Sequence, residues 1–150
     1  MFNAFKTLFD HKIMHRDFKP SNVLIHDGKI KIADFGFSKL LGNKSHTRTI
    51  LGSPLNMAPE VMEGKPYGAK ADVWSVGVTF YELLFGDHPW KAKTLSELLE
   101  NIKGTPLVFP DNVKIGDTTK DILKRMMVVD AGSRASWTEC FEHDIANLKI

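Results

Sequence analysis

Phe2, Phe5, Leu8 and Phe9 recur at spacings of three and four, the mark of one buried helical face, so residues 2–11 are expected to form an apolar-faced helix. The period then shortens. In VLIHDGKIKIADF two β-branched runs flank Asp27-Gly28, a dipeptide that tolerates left-handed backbone, and this predicts a tight hairpin. Asn22 would stand just before its first strand and Asp34 just after its second. From Gly36 to Met57 the chain is polar, carries Gly42, Asn43, Gly52 and Pro54, and shows little periodicity, which predicts a long loop of the kind that tends to be functional. Helical period returns from Ala69 to Phe85, with Val73, Val76, Phe80, Leu83 and Leu84 on one broad face and further apolar residues that predict burial all round. The last sixty or so residues read as short helices with capping-box spacing at Thr94 and Glu97, at Thr118 and Asp121, and at Ser136 and Glu139. Gly104, Pro106, Pro110 and Gly116 punctuate them.

Composition narrows the function classes. The 150 residues match one compact domain or one lobe of something larger, and 43% hydrophobic with 25% charged residues argues against disorder. Twenty Lys and Arg against eighteen Asp and Glu leave +2, too small and scattered a charge to point to nucleic acid as a partner. The one cysteine, Cys140, cannot close an internal disulfide, which predicts a reducing compartment and a packing role for the thiol. The N-terminus lacks the pattern of a secretory signal, so cytoplasm or nucleus is the expected location. The longest apolar stretch, Val73 to Phe85, is interrupted by Glu82 and is shorter than the roughly 20 residues of a membrane helix, so no membrane span is expected.

The chemistry gathers in HRDFKPSN, residues 15–22. Asp17 can accept a hydroxyl proton, and Lys19 can neutralise negative charge beside that hydroxyl. Asn22 and Asp34 offer hard oxygen donors suited to a magnesium ion that keeps phosphate oxygens as its other ligands. Taken one by one, Asp17, Asn22 and Asp34 could equally be caps and turn residues. Together they suit phosphoryl transfer, in which holding metal, phosphate and acceptor in line counts for more than covalent help.

His15-Arg16-Asp17-Phe18-Lys19-Pro20-Ser21-Asn22 resembles the catalytic loop of eukaryotic protein kinases. Asp34-Phe35-Gly36 resembles their metal-binding motif, Ala58-Pro59-Glu60 the motif that closes their activation segment, and Asp72-Val73-Trp74-Ser75-Val76-Gly77 the central helix of their C-terminal lobe. The resemblance covers essentially the whole chain, residues 1–150, as part of one kinase domain. It implies an α+β, mainly α-helical fold: the kinase-like C-terminal lobe, with a small β-hairpin at the active site and the N-terminal lobe absent.

On that pattern Asp17 would orient or deprotonate the acceptor hydroxyl, and Lys19 would contact the transferring phosphate. Asn22 and Asp34 would hold Mg2+, and Leu24 would lie beneath the adenine of ATP. Lys19, with Ser53 in Gly52-Ser53-Pro54, resembles the serine/threonine branch, which implies protein substrates with Ser or Thr acceptors. Arg16 resembles the arginine of kinases switched on by activation-loop phosphorylation, by an upstream kinase or by autophosphorylation, with Ser45, Thr47 and Thr49 as candidates and Thr49 preferred. His15 would pack against Phe35, Asp72 would support the catalytic loop's backbone, and Arg134 would pair with Glu60. These are supporting roles. Asn56 departs from the pattern by standing where many members of the family carry an aromatic residue, which would alter the substrate groove.

No G-x-G-x-x-G occurs in these residues, and no strand lysine with its partner glutamate precedes the HRD motif, so the 150-residue polypeptide is expected to bind ATP weakly and transfer phosphate poorly by itself. A second reading is a non-catalytic interaction module that docks substrates or regulators on its groove and on the helix from Thr94 to Ile102. Trp74, Trp90 and Trp137 read as core aromatics, Met126 and Met127 as core filler, and Lys91 and Lys93 as a solvated face.

Overall fold

The computed structural model describes residues 2–40 and 54–147. Helix α1 (Phe2–Asp10) leads into the short strand β1 (Ile13–Met14) and a 3-10 turn at Pro20–Asn22, followed by β2 (Val23–His26), β3 (Lys29–Ile32) and β4 (Lys39–Leu40). A second 3-10 turn (Pro54–Asn56) opens the helical body of α2 (Pro59–Met62), α3 (Lys70–Phe85), α4 (Leu95–Gly104), α5 (Asp117–Met126) and α6 (Trp137–Glu142), with a last 3-10 turn at Asp144–Asn147. The expected architecture, mainly helical with a small hairpin, is the observed one. Among the described residues no helix is long and apolar enough to cross a membrane.

The hairpin forms where the turn chemistry puts it. Asp27 and Gly28 take φ of 50° and 69°, the left-handed pair that matches the twist of the flanking strands, and β2 pairs with β3 antiparallel from Val23↔Ile32 to His26↔Lys29. The predicted loop from Gly36 to Met57 is corrected in part: Lys39–Leu40 is a strand that pairs antiparallel with β1, Met14 opposite Lys39. A two-residue strand offers no period to read. Residues 41–53, with Ser45, Thr47, Thr49 and Ser53, lie outside the described residues.

Helix α3 explains the all-round apolar pattern of its sequence. Ala71, Trp74, Val78 and Tyr81 form one stripe at helical spacing and enter a cluster with Tyr67, Trp90, Leu98, Ile102 and Met127. Val73 and Val76 lie on another face and join Phe5, Phe18, Ile122, Met126 and Trp137. The helix is thus the axis between two cores. Gly77 lets α5 approach, since a β-carbon there would stand 3.0 Å from Met126 Cβ. One residue departs: Leu83, expected on the buried face, is 51% exposed, while Leu84 and Phe85 beside it still pack against the core.

The caps divide in the same way. Ser136 and Glu139 form a complete capping box, and Thr94 accepts from the Glu97 backbone amide at 3.2 Å. Thr118 caps nothing, because α5 begins at Asp117 with Gly116 as its extended N-cap. Asp121 is taken instead by His143 and Arg125, at 3.0 and 2.8 Å. The three tryptophans, Met126 and Met127 are buried as expected. Cys140 is buried too, and burial pushes its thiol up to about 12.

Candidate active site

The segment 15–22 is anchored from below by one carboxylate. Asp72, in the first turn of α3, accepts from the His15 amide at 2.7 Å through Oδ2 and from the Arg16 amide at 2.8 Å through Oδ1. Burial pushes its pKa up, and the Arg16 and His15 amide bonds oppose that shift. Arg16 sits at φ 69°, a left-handed conformation that costs a non-glycine residue energy, and the two amide bonds fix it there. Its Nε donates to the Phe37 carbonyl.

His15 is fully buried, its ring 5.3 Å from Phe35 and 5.6 Å from Phe18, with Nε2 bonded to the Ala33 carbonyl at 3.0 Å. It therefore packs the loop against the strand that leads to Asp34. Phe18 is the loop's plug: fully buried, it meets Phe5 edge-on at 4.8 Å and ties the segment to the core.

With Phe18 turned down, its two neighbours are set against each other. Lys19 Nζ lies 3.0 Å from Asp17 Oδ2, with the carboxylate side chain 4% exposed and the lysine side chain 30%. Pro20 begins the 3-10 turn, which brings Asn22 back under the loop so that its Nδ2 donates to the Asp17 carbonyl at 2.8 Å. Asn22 is buried, and with Nδ2 committed its remaining side-chain polar atom is the acceptor Oδ1. The Ala33 amide donates to the Asn22 carbonyl at 2.9 Å, which places Asp34 one residue beyond a direct backbone link to Asn22. Asp34 is exposed, at φ 62°, and its Oδ1 accepts from the Gly36 amide at 3.2 Å.

This donor set suits a hard divalent cation that remains partly bound to phosphate: an amide oxygen and a carboxylate on two adjoining segments, with a lysine beside them. Among the described residues no group of three or more His, Cys, Asp or Glu could form a metal cage by itself. Leu24, the expected adenine contact, is 50% exposed on the hairpin.

The supporting pair is equally well defined. Arg134 meets Glu60 with two parallel bonds of 2.8 Å, and its remaining donors reach the carbonyls of Lys70, Val128 and Val129. Its guanidinium also lies 5.0 Å over Trp74. A cavity of about 750 Å3 opens beside this pair, between Pro59, Tyr67, Lys103 and Asp130, and among the described residues Glu60 is the one predicted site residue that borders it.

Asn56, which departs from the family pattern, is buried, with Nδ2 donating to Thr79 Oγ1 at 3.2 Å. Thr79 and Ser75, to which the sequence reading gave no role, lie one turn apart in the buried middle of α3, and that pair of hydroxyls was the signal available. The positions of Ser45, Thr47, Thr49 and Ser53 fall outside the described residues.

Comparison with known proteins gives one consistent result. Residues 1–145 match the protein kinase domain family. The chain is 36% identical over 150 residues to the serine/threonine-protein kinase atg1 of Dictyostelium discoideum, covering 97% of this chain and 22% of that protein. It is 38% identical over 150 residues to ATG1b of Arabidopsis thaliana, covering 96% and 21%, and 36% identical over 151 residues to ULK3 of Xenopus laevis, covering 98% and 32%. It thus spans about a fifth to a third of the length of these curated relatives.

Proposed function

The chain belongs to the protein kinase domain family, among serine/threonine kinase relatives, and on that premise we propose that it carries the catalytic loop of an enzyme that moves the γ-phosphate of ATP to serine or threonine of protein substrates. The observation that carries this reading is the contact of Lys19 with Asp17 at 3.0 Å above an asparagine bonded to the same aspartate's backbone.

Asp17 is placed to take the acceptor's hydroxyl proton, and its low exposure keeps water from competing for that position. Lys19, held against Asp17, carries its charge to the point where the phosphoryl group would leave the nucleotide. Asn22, through Oδ1, and Asp34, through its carboxylate, would hold Mg2+. That ion, when bound, supplies charge neutralisation at the phosphate oxygens. Leu24 offers its exposed side chain as a floor for the adenine. Arg16 is the proposed partner of a phosphate added at Thr49, Thr47 or Ser45, whether by an upstream kinase or by autophosphorylation. Work in the cytoplasm or nucleus, and weak transfer by the 150 residues alone, belong to the same proposal.

The test is transfer of labelled phosphate from ATP to a protein substrate by the polypeptide as the cell makes it. Asp17→Asn should lower the rate by roughly a hundredfold or more with folding intact. Equal rates for the two proteins would remove the proposal.

A further inference from the structure

Two buried polar side chains, Asn56 and Thr79, form a directed relay to the loop at 15–22, and Ser75, whose Oγ also reaches the Ala71 carbonyl at 3.2 Å, holds the backbone of the first. Ser75 Oγ donates to the Asn56 carbonyl at 2.7 Å, Asn56 Nδ2 donates to Thr79 Oγ1 at 3.2 Å, and Thr79 Oγ1 donates to the Phe18 carbonyl at 3.5 Å. Their exposures are 8%, 5% and 0%, so bulk solvent does not reach these groups. The Phe18 carbonyl belongs to the peptide unit between Phe18 and Lys19, the hinge on which Asp17 and Lys19 are held together. A cavity of only about 10 Å3, bordered by Arg16, Asp17, Phe18, Asn56, Met57 and Ser75, separates the turn that carries Asn56 from the loop that carries Asp17. That is about the least space that admits one water molecule, so the two segments are close-packed.

We propose that Thr79 and Asn56 are positioning residues: they set the Phe18–Lys19 peptide, and with it the Asp17–Lys19 pair, and couple that pair to the 3-10 turn Pro54–Asn56. The departure at position 56 then has a partner. An asparagine is useful here because α3 presents a hydroxyl at Thr79: without Thr79 the buried Asn56 amide would lose this acceptor, and without Asn56 the Thr79 hydroxyl would keep only the Phe18 carbonyl. The hydroxyl has one proton, and it gives that proton to the loop while accepting from Asn56, so both links share one chain. The kinetic consequence rests on the phosphoryl-transfer reading; the structural one does not.

The test uses the polypeptide as the cell makes it, with Thr79→Val, Thr79→Ser and Asn56→Leu, and reads two quantities: amide hydrogen exchange over residues 15–22, and kcat and KM for ATP and protein substrate. Thr79→Val, which keeps the shape and deletes the hydroxyl, should speed exchange in 15–22 about tenfold and lower kcat by about tenfold, the equivalent of about 1.4 kcal/mol. Both KM values should stay within about twofold, as befits loss of positioning and not of binding. Exchange in α5 should not change, and Thr79→Ser should restore both quantities. Asn56→Leu should reproduce the effect, and the double variant should be little worse than either single one, because the links act in series.

Wild-type exchange over 15–22 in Thr79→Val would overturn the inference whatever the activity. Should that variant fail to fold, Asn56→Leu reads the same link from its other end, with the same overturning result. A wild-type polypeptide that transfers no phosphate would sink the kinase reading, and the exchange comparison would still decide the relay.

Discussion

The first forty residues and the helical body from residue 54 onward are built differently. In the body most large apolar side chains have a place in one of two cores around α3, with Leu55, Leu83, Leu95 and Val108 as exposed exceptions. In the first forty, Phe5, Met14 and Phe18 are buried in those cores and Phe2, Leu8, Val23 and Ile32 pack against them, while Leu24, Ile25, Ile30, Phe35 and Phe37 stay exposed along the hairpin and the segment after it. Charge divides the same way: residues 1–40 hold seven Lys and Arg against four Asp, while residues 54–147 hold ten against fourteen Asp and Glu. The groups proposed to handle an anionic nucleotide lie in the cationic part, and the part that fixes their geometry is the other one. Asp72 pins the loop's amides, Thr79 reaches its Phe18 carbonyl, and the floor of the loop is a buried phenylalanine. The body is therefore a frame, and the loop is its cargo.

That contrast can be broken at its strongest point. Arg134 is buried and spends its donors on Glu60 and three backbone carbonyls, so Arg134→Leu strands the Glu60 carboxylate and those acceptors together. Urea unfolding should show a loss of about 3–5 kcal/mol. A loss under about 1 kcal/mol, no more than exposed ion pairs contribute, would mean that the frame does not depend on this pair.

A smaller effect is expected at its edge. Glu63 receives Lys103 and Lys65, and these bonds hold its pKa below the usual 4.5 despite some burial. Because the folded pKa is depressed, the stability that Glu63 contributes is present above the ordinary glutamate range and is lost as pH falls through the depressed value. The stability gap between wild type and Glu63→Gln should accordingly be widest near neutrality and close on acidification. A gap that stays flat with pH would remove this pair from the account.

The smallest change belongs to the hairpin. Ile25 is 78% exposed, and Ile25→Ser should shift stability by no more than about 0.5 kcal/mol. A loss of about 2 kcal/mol or more, as for a core truncation, would show that the hairpin belongs to the frame after all.

The sequence was legible where structure is decided locally. Asp27-Gly28 dictated the hairpin, Ser136 with Glu139 dictated a helix start, and the joint spacing of Asp17, Lys19, Asn22 and Asp34 marked the candidate site. It was opaque where distant segments decide. The pairing of Met14 with Lys39 joins two-residue strands with no period of their own. Thr118 looked like a cap until His143 and Arg125 claimed the carboxylate of Asp121. The departure at Asn56 had no visible partner, because nothing near it in sequence names Thr79.

The proposed convergence of Asp17, Lys19, Asn22 and Asp34 on one metal and its nucleotide is most directly tested by substituting Mn2+ for Mg2+ in the presence of ADP and following paramagnetic broadening of assigned backbone amides. The account predicts broadening confined to the amides around Asn22 and Asp34, strongest at 17–24 and 33–36, and abolished by Asp34→Ala. Broadening centred on the Glu63 and Asp130 surfaces, or none at residues 22 and 34 while the nucleotide is bound, would contradict it.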